Sequence, residues 1–482
     1  MITYKKIICA KIKIYIFYRL ISTLSDMSKV YLDGSDDKIV VIPKGFDKIG
    51  DWVFNQKPNL LEVYIPDGVT SLGQGVFSHC PRLKKVYLPS TLETLGVYCF
   101  LGCKNLVEIN LPDGIKIIPR YCFSECERLT SIRFPASVDI LDEGAFSGCR
   151  SLTEMVVPST VSRIGCKVFS RCVSLEKVDI SGKVTYLGSE LFYLCERLRD
   201  VILSPETKEL KYQVFTGCKS LQKIDIPEKV TDLGDLLFFG CINLSEVNIP
   251  KGVTYIGNHA FCGCRITQLD IPDGVKILHR NVFQDCDELE KVIFPKSLET
   301  IGSECFSGCK KLKKVNLPRD LLTIGTGAFM FSGIEKVTMF SRVFSIEEKA
   351  FPWKTKNIRV TVKKIDLTCT CKIFSVYGLW DGYIQLVGDN NTVFKKVKHD
   401  DVFHQTSLLD EYNKSKNIFS FGRLQFSTKS KYFFCRESKL FLRNIFLSNN
   451  RRKEKGDVFL NTDCLLTILG YLQEHQTIYL DH

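Results

Sequence analysis

The dominant pattern in the chain is an apolar residue that returns on a fixed count. Phe54, Phe77, Phe100, Phe123, Phe146, Phe169, Phe192, Phe215, Phe238 and Phe261 are spaced 23 residues apart. Phe283, Phe306, Phe329 and Phe351 continue the series with two steps of 22, where one residue is missing after Cys264 and one after Gly333. Three residues behind run Cys80, Cys103, Cys126, Cys149, Cys172, Cys195, Cys218, Cys241, Cys264, Cys286 and Cys309. A Leu such as Leu83 or Leu221 follows, then a short alternating segment that ends in Pro, as in Val63-Tyr64-Ile65-Pro66. Alternation of period two predicts a strand with Val63 and Ile65 inward and Tyr64 outward. Pro has no N–H for a ladder, so it ends the strand and opens a turn. A Leu/Ile-Gly pair such as Leu72-Gly73 or Ile256-Gly257 completes the unit, its glycine read as a turn residue.

One such unit cannot bury its own Phe, Leu and Cys. Stacking the units makes a continuous parallel sheet over a continuous core. Fourteen marked coils at a strand spacing of about 4.8 Å predict an array on the order of 65 Å long. The chain divides accordingly into a flank at residues 1–40, the array at 41–352, and a C-terminal cap and basic tail at 353–482.

The unit Phe215-Thr-Gly-Cys218-Lys-Ser-Leu221-Gln-Lys-Ile224-Asp-Ile226-Pro227 resembles the BspA-like class of leucine-rich repeats, over about two-thirds of the chain. The resemblance implies an α/β-type repeat solenoid, wound as a right-handed superhelix with a parallel sheet on its concave side. It also implies protein binding, including adhesion to host or matrix proteins by surface members in bacteria and parasitic protists. A small irregular C-terminal region is expected beyond the array.

Outward strand positions are the ones that packing leaves free, so they are the candidate binding residues. The outward row reads Tyr64, Tyr87, Asn110, Arg133, Val156, Asp179, Ile202, Asp225, Asn248, Asp270, Ile293, Asn316 and Thr338. Exposed aromatics are enriched at binding hot spots, and the middle of the row is rich in Asp and Asn. Tyr64, Tyr87, Asn110, Asp179, Asp225, Asn248, Asp270 and Asn316 are therefore taken as the protein-binding set. The row two residues earlier alternates in sign through Glu154, Lys177, Asp200, Lys223 and Glu246. That alternation predicts a self-neutralising surface ladder that sets coil register and binds nothing, against the reading in which Tyr64, Tyr87 and the Asp/Asn row contact a protein.

Charge and cysteine usage narrow the classes. The net charge of +12 sits in the flanks: residues 41–354 carry 39 basic and 37 acidic side chains. A nucleic-acid-binding array would concentrate positive charge along its length, so no nucleic-acid partner is expected. Equivalent cysteines on neighbouring coils point the same way, whereas a disulfide needs facing Cβ atoms. The 11 cysteines of the repeat slot are thus read as buried, reduced thiols, with Cys99, Cys122 and Cys305 as further core fillers. Cys369-Thr-Cys371 lacks a second close pair, although Cys435, Cys464, His399 and His404 lie in the same region. No metal site and no cofactor follow from it.

No Gly-Lys-Ser/Thr phosphate loop, His-Glu-x-x-His or Gly-x-Ser-x-Gly occurs, and the chain is expected not to be an enzyme. No run of 18 uncharged apolar residues exists, so no membrane-spanning helix is predicted. Lys11, Lys13 and Arg19 interrupt the apolar start, which excludes a secretory signal of ordinary form, and Met27 offers an alternative start. These points favour a monomeric cytoplasmic scaffold or adaptor. The alternative is the cell surface, or secretion by a non-classical route. The tail holds an amphipathic stretch at 463–472 with a faint likeness to an F-box helix, so the array also reads as a targeting arm for a regulatory or enzymatic C-terminal module. Strands are expected between 355 and 400, around a turn at 388–391.

Overall fold

The computed structural model describes residues 38–340, 345–347, 349–352, 355, 357–361, 383–387 and 393–398. Short parallel strands recur once or twice per coil and stack in register along the array. The first row holds three-residue strands such as Glu62–Tyr64, Lys85–Tyr87, Glu154–Val156, Lys177–Asp179 and Lys223–Asp225. Their partners lie 23 residues away: Val63 registers with Val86, and Val178 with Val201. Val63 and Ile65 are buried and Tyr64 is half-exposed, the alternation expected of them. The second row holds two-residue strands at the Leu/Ile-Gly pairs, such as Arg163–Ile164 beside Tyr186–Leu187. The first row continues parallel through Lys336–Phe340, Asn357–Thr361 and Tyr383–Val387, and Val393–Lys398 then pairs antiparallel.

The core is a set of columns. All fourteen Phe rings from Phe54 to Phe351 stack on one another, with centroids 5.2–5.9 Å apart and planes within 25°. The cysteine column runs beside it. Each of the 11 repeat cysteines donates its thiol to the main-chain carbonyl of the Phe in the preceding coil, at 2.9–3.3 Å. Cysteine suits this slot because it is small, apolar and still carries a weak donor for a carbonyl that is shut away from water. Fifteen of the sixteen described cysteines are buried, and all sixteen are free thiols.

Opposite the strands the chain departs from the α/β expectation, since no described residue is helical. The residue two before the Phe has positive φ in every coil, and so does the residue two after it through Phe331, all between 50° and 77°. Two left-handed residues per coil break any helical run. Their effect is to aim alternate amides along the stacking direction. Glu190, Phe192 and Leu194 donate to the carbonyls of Tyr212, Val214 and Thr216 in the next coil, each at 2.8 Å. Interrupted turns therefore pair coil to coil as strands do, satisfying buried backbone groups without a helix. The strain of a non-glycine residue in this region, of order 1 kcal/mol, is offset by that pairing.

The glycine of the Leu/Ile-Gly pair serves another purpose than the turn expected of it. Gly96 does not adopt a positive φ, but a Cβ there would lie 2.1 Å from the carbonyl oxygen of Gly73. It permits close approach of successive backbones.

Two outcomes follow from the columns. Phe192→Ala opens a cavity between two stacked rings and should cost about 3–5 kcal/mol, read as a lower urea midpoint. Burial pushes the Cys80 thiol up to about 11 and those of Cys172 and Cys241 up to about 12. The unfolded thiol ionises near 8.5, so their stabilising contribution is complete below that pH and is lost as pH rises through the folded values. Stability should fall above pH 8.5 by about 1.4 kcal/mol per pH unit for each thiol that ionises only on unfolding. Urea titrations at pH 8 and pH 10 measure it, and Cys172→Ala should flatten the slope by one thiol.

Candidate functional site

The first strand row places all eight candidate residues in a single outward line. Tyr64 registers with Tyr87, Asp179 with Val156 and Ile202, Asp225 with Asn248, Asp270 with Ile293, and Asn316 with Thr338. Asn110 meets Arg133 through an isolated bridge. Inward neighbours such as Val63, Val178 and Ile224 are buried, so the core fixes which side of each strand faces out.

At the first end of the row the two tyrosines form a unit. Their rings stack at 4.4 Å and 10°, and the Tyr64 hydroxyl donates to Glu62 Oε2 at 3.1 Å. Burial first, then hydrogen bonding with Tyr87 and Glu62, pushes the Tyr64 phenol well above its usual value. Its proton therefore stays in place as a donor across the physiological range. Tyr87 remains 44% exposed and presents the accessible ring. Further along, Asp179 Oδ1 accepts from the Ser181 amide at 2.8 Å, and Asp225 lies 3.5 Å from Lys223. These carboxylates are committed loosely, at the surface.

Choosing candidates by polarity passed over part of the same line. Val156, Ile202 and Ile293 are 70%, 55% and 45% exposed, and they alternate with the Asp and Asn members. Val41 extends the line one coil earlier, registered with Tyr64 and exposed. The signal was available: Ile39-Val40-Val41 repeats the alternation 23 residues ahead of Glu62-Val63-Tyr64. The face is thus mixed, apolar side chains interleaved with amides and carboxylates.

The sign-alternating row is in register, with Lys177 beside Glu154 and Asp200, and Lys223 beside Glu246. Among the described residues, none of these neighbours approaches to an ion pair. The pairs that do form between coils lie off the strand row. They join Lys104 to Glu127, Arg199 to Glu176, Lys219 to Glu196 and Lys229 to Glu206, each 23 residues apart at 2.6–3.0 Å.

Chemistry elsewhere is sparse. Cys262 donates to Gln284 Oε1 at 3.8 Å, and burial pushes its thiol up to about 11. A nucleophilic thiol requires the opposite shift. His259, nearby in sequence, is lowered by burial and then by Arg280. Among the described residues no group of three or more His, Cys, Asp or Glu is placed to hold a metal ion. Among the described residues no helix is long and apolar enough to cross a membrane. Cys369, Cys371, Cys435, Cys464, His399, His404 and the stretch at 463–472 lie outside the described residues.

Coils of one strand-bearing unit, stacked in parallel over a shared core, define a leucine-rich-repeat-like solenoid. The chain belongs to the BspA type leucine-rich repeat family, whose profile matches residues 29–149, 116–245 and 231–358. It is similar to a leucine-rich repeat protein of Bacteroides ovatus, at 22% identity over 67% of this chain and 87% of that one, with a TM-score of 0.44. It is similar also to a leucine-rich cell surface protein of Faecalibacterium prausnitzii (22%, 70% and 90%, 0.36). The pneumococcal vaccine antigen PcpA is a further match (18%, 77% and 92%, 0.37). No curated protein matches the chain.

Proposed function

We propose that the protein is a non-catalytic binding protein, a scaffold or a BspA-like surface antigen, that recognises a protein partner through the outward strand row on its concave face. The observation that carries this reading is the mixed, continuous line from Tyr64 to Asn316. It offers a stacked tyrosine pair, exposed aliphatic side chains and loosely committed carboxylates and amides on a rigid sheet. An extended surface of this kind is what solenoids use to bind partners. The ring column repeats at 5.2–5.9 Å against about 4.8 Å between strands. That difference supports a splay that leaves the strands on the inner side of the curve. Near-neutral charge over residues 41–354 favours protein over nucleic acid, and the protein is taken to act as a monomer without a cofactor.

The test is the combined variant Tyr87→Ala, Asp225→Lys, Asp270→Lys, compared with the unaltered chain as bait at equal concentration. A specific partner should be retained at least about tenfold less by the variant, with an unchanged circular dichroism spectrum. Equal retention would remove the stretch of the strand face from Tyr87 to Asp270 from recognition.

Folding with so many reduced thiols supports a cytoplasmic location, and the alternative is the cell surface by a non-classical route. Cys166 is the one described cysteine that is not buried. A membrane-impermeant thiol reagent should modify it only after cells are permeabilised, and modification on intact cells would place the protein outside.

A further inference from the structure

The row two residues before the outward line alternates in sign from Glu154 to Glu246 and then ceases to. After the neutral Gln268, three successive coils carry Lys291, Lys314 and Lys336. Lys291 registers with Gln268, its strand packs beside Lys314–Asn316, and Lys314 registers with Lys336. All three are exposed. Among the described residues none of them enters an ion pair, although acidic side chains are close by in sequence. Those are engaged otherwise: Asp287 with Lys310, Glu288 and Glu290 with Lys311, and Glu299 with Lys276.

Like charges side by side on adjacent strands are destabilising, and the alternation earlier in the row avoids that arrangement. A negatively charged partner would relieve it here. Next to the lysines the outward line supplies Ile293, Asn316 and Thr338. These are an exposed aliphatic chain, an amide and a hydroxyl, with no ring on which a base could stack. The three coils span about 10 Å, the length of roughly three residues of extended chain.

We propose that this end of the strand face is a subsite for an acidic, extended peptide segment, whose carboxylates lie on the lysine column and whose apolar side chain rests on Ile293. The inference deepens the protein-binding reading above and rests on it, while placing recognition at the end of the row opposite to the tyrosines. The column is kept at a cost to the unliganded fold.

The full chain is titrated into a fluorescein-labelled Glu-rich decapeptide with one central Leu, at 50 and 200 mM NaCl, alongside Lys314→Glu, Lys314→Ala and Lys219→Ala, the last off the strand row. The thermal midpoint of each protein is measured without peptide. The unaltered chain should bind, and more weakly at the higher salt. Lys314→Glu should bind at least about tenfold more weakly, Lys314→Ala by a smaller factor, and Lys219→Ala like the unaltered chain. Lys314→Glu restores alternation with Lys291 and Lys336, so its midpoint should rise by about 1–3 °C.

No binding by the unaltered chain, or equal binding by Lys314→Glu, overturns the proposal. So does a lower midpoint in both Lys314 variants, which would mean the lysine is paired within the fold. A sulfated oligosaccharide that binds more tightly than the peptide overturns the choice of ligand. Loss of peptide binding in Lys314→Glu, with the tyrosine–aspartate variant retaining its partner fully, would sink the assignment of the Tyr87–Asp270 stretch and leave the subsite standing.

Discussion

Each coil contributes a Phe ring that stacks on the ring of the next, and the eleven coils from Cys80 to Cys309 also contribute a thiol that donates to the Phe carbonyl of the coil before. These two contacts occupy the same interior strip and fix both the spacing and the rotation of successive coils. Ring stacking alone tolerates sliding, because offset geometries differ little in energy. The thiol hydrogen bond removes that freedom by tying Cys195 to Phe169 and Cys218 to Phe192 at 3.0 and 3.3 Å. Once rotation is set, the inward residues of every strand fall on the core and the outward ones on a single line. The exposed strand face is therefore a consequence of a buried interior column.

Surface electrostatics are divided by side. The ion pairs that bridge coils, such as Lys219–Glu196 and Lys229–Glu206, sit away from the first strand row. They are exposed and each contributes little, but they neutralise that side and leave the strand face to carry unpaired groups. Charges from Glu154 to Glu246 are registered between coils without contact, Lys223 reaching only Asp225 of its own strand, so they shape the field over the face more than they hold coils together. Its sign changes from balanced near Lys177 and Asp200 to positive at Lys314 and Lys336. The row therefore carries a different chemistry at each end.

Much of this was legible in the residue order. The Phe count located every coil, the Cys slot identified the second core column, and Val63 and Ile65 went to the core while Tyr64 went to the surface. The candidate row from Tyr64 to Asn316 lay where alternation put it. The acceptor of each thiol was not legible, because it is a main-chain carbonyl and carries no residue-specific signature. Nor was the absence of helix. Residues with positive φ such as Leu194, Glu190 and Tyr98 belong to types that do not advertise a left-handed conformation. The glycine at position 96 looked like a turn residue because sequence cannot distinguish a need for φ from a need for space.

The sequence by itself determined periodicity, the inward and outward sets and the chemical character of the exposed line, since these depend on residue type and spacing. Only the tertiary structure decided which groups meet between coils. The Tyr64–Tyr87 stack, the Cys-to-Phe hydrogen bonds and the absence of ion pairs between coils in the Glu154–Glu246 row depend on rotamer and coil rotation. Those are fixed by packing across 23-residue steps, and no local preference encodes them.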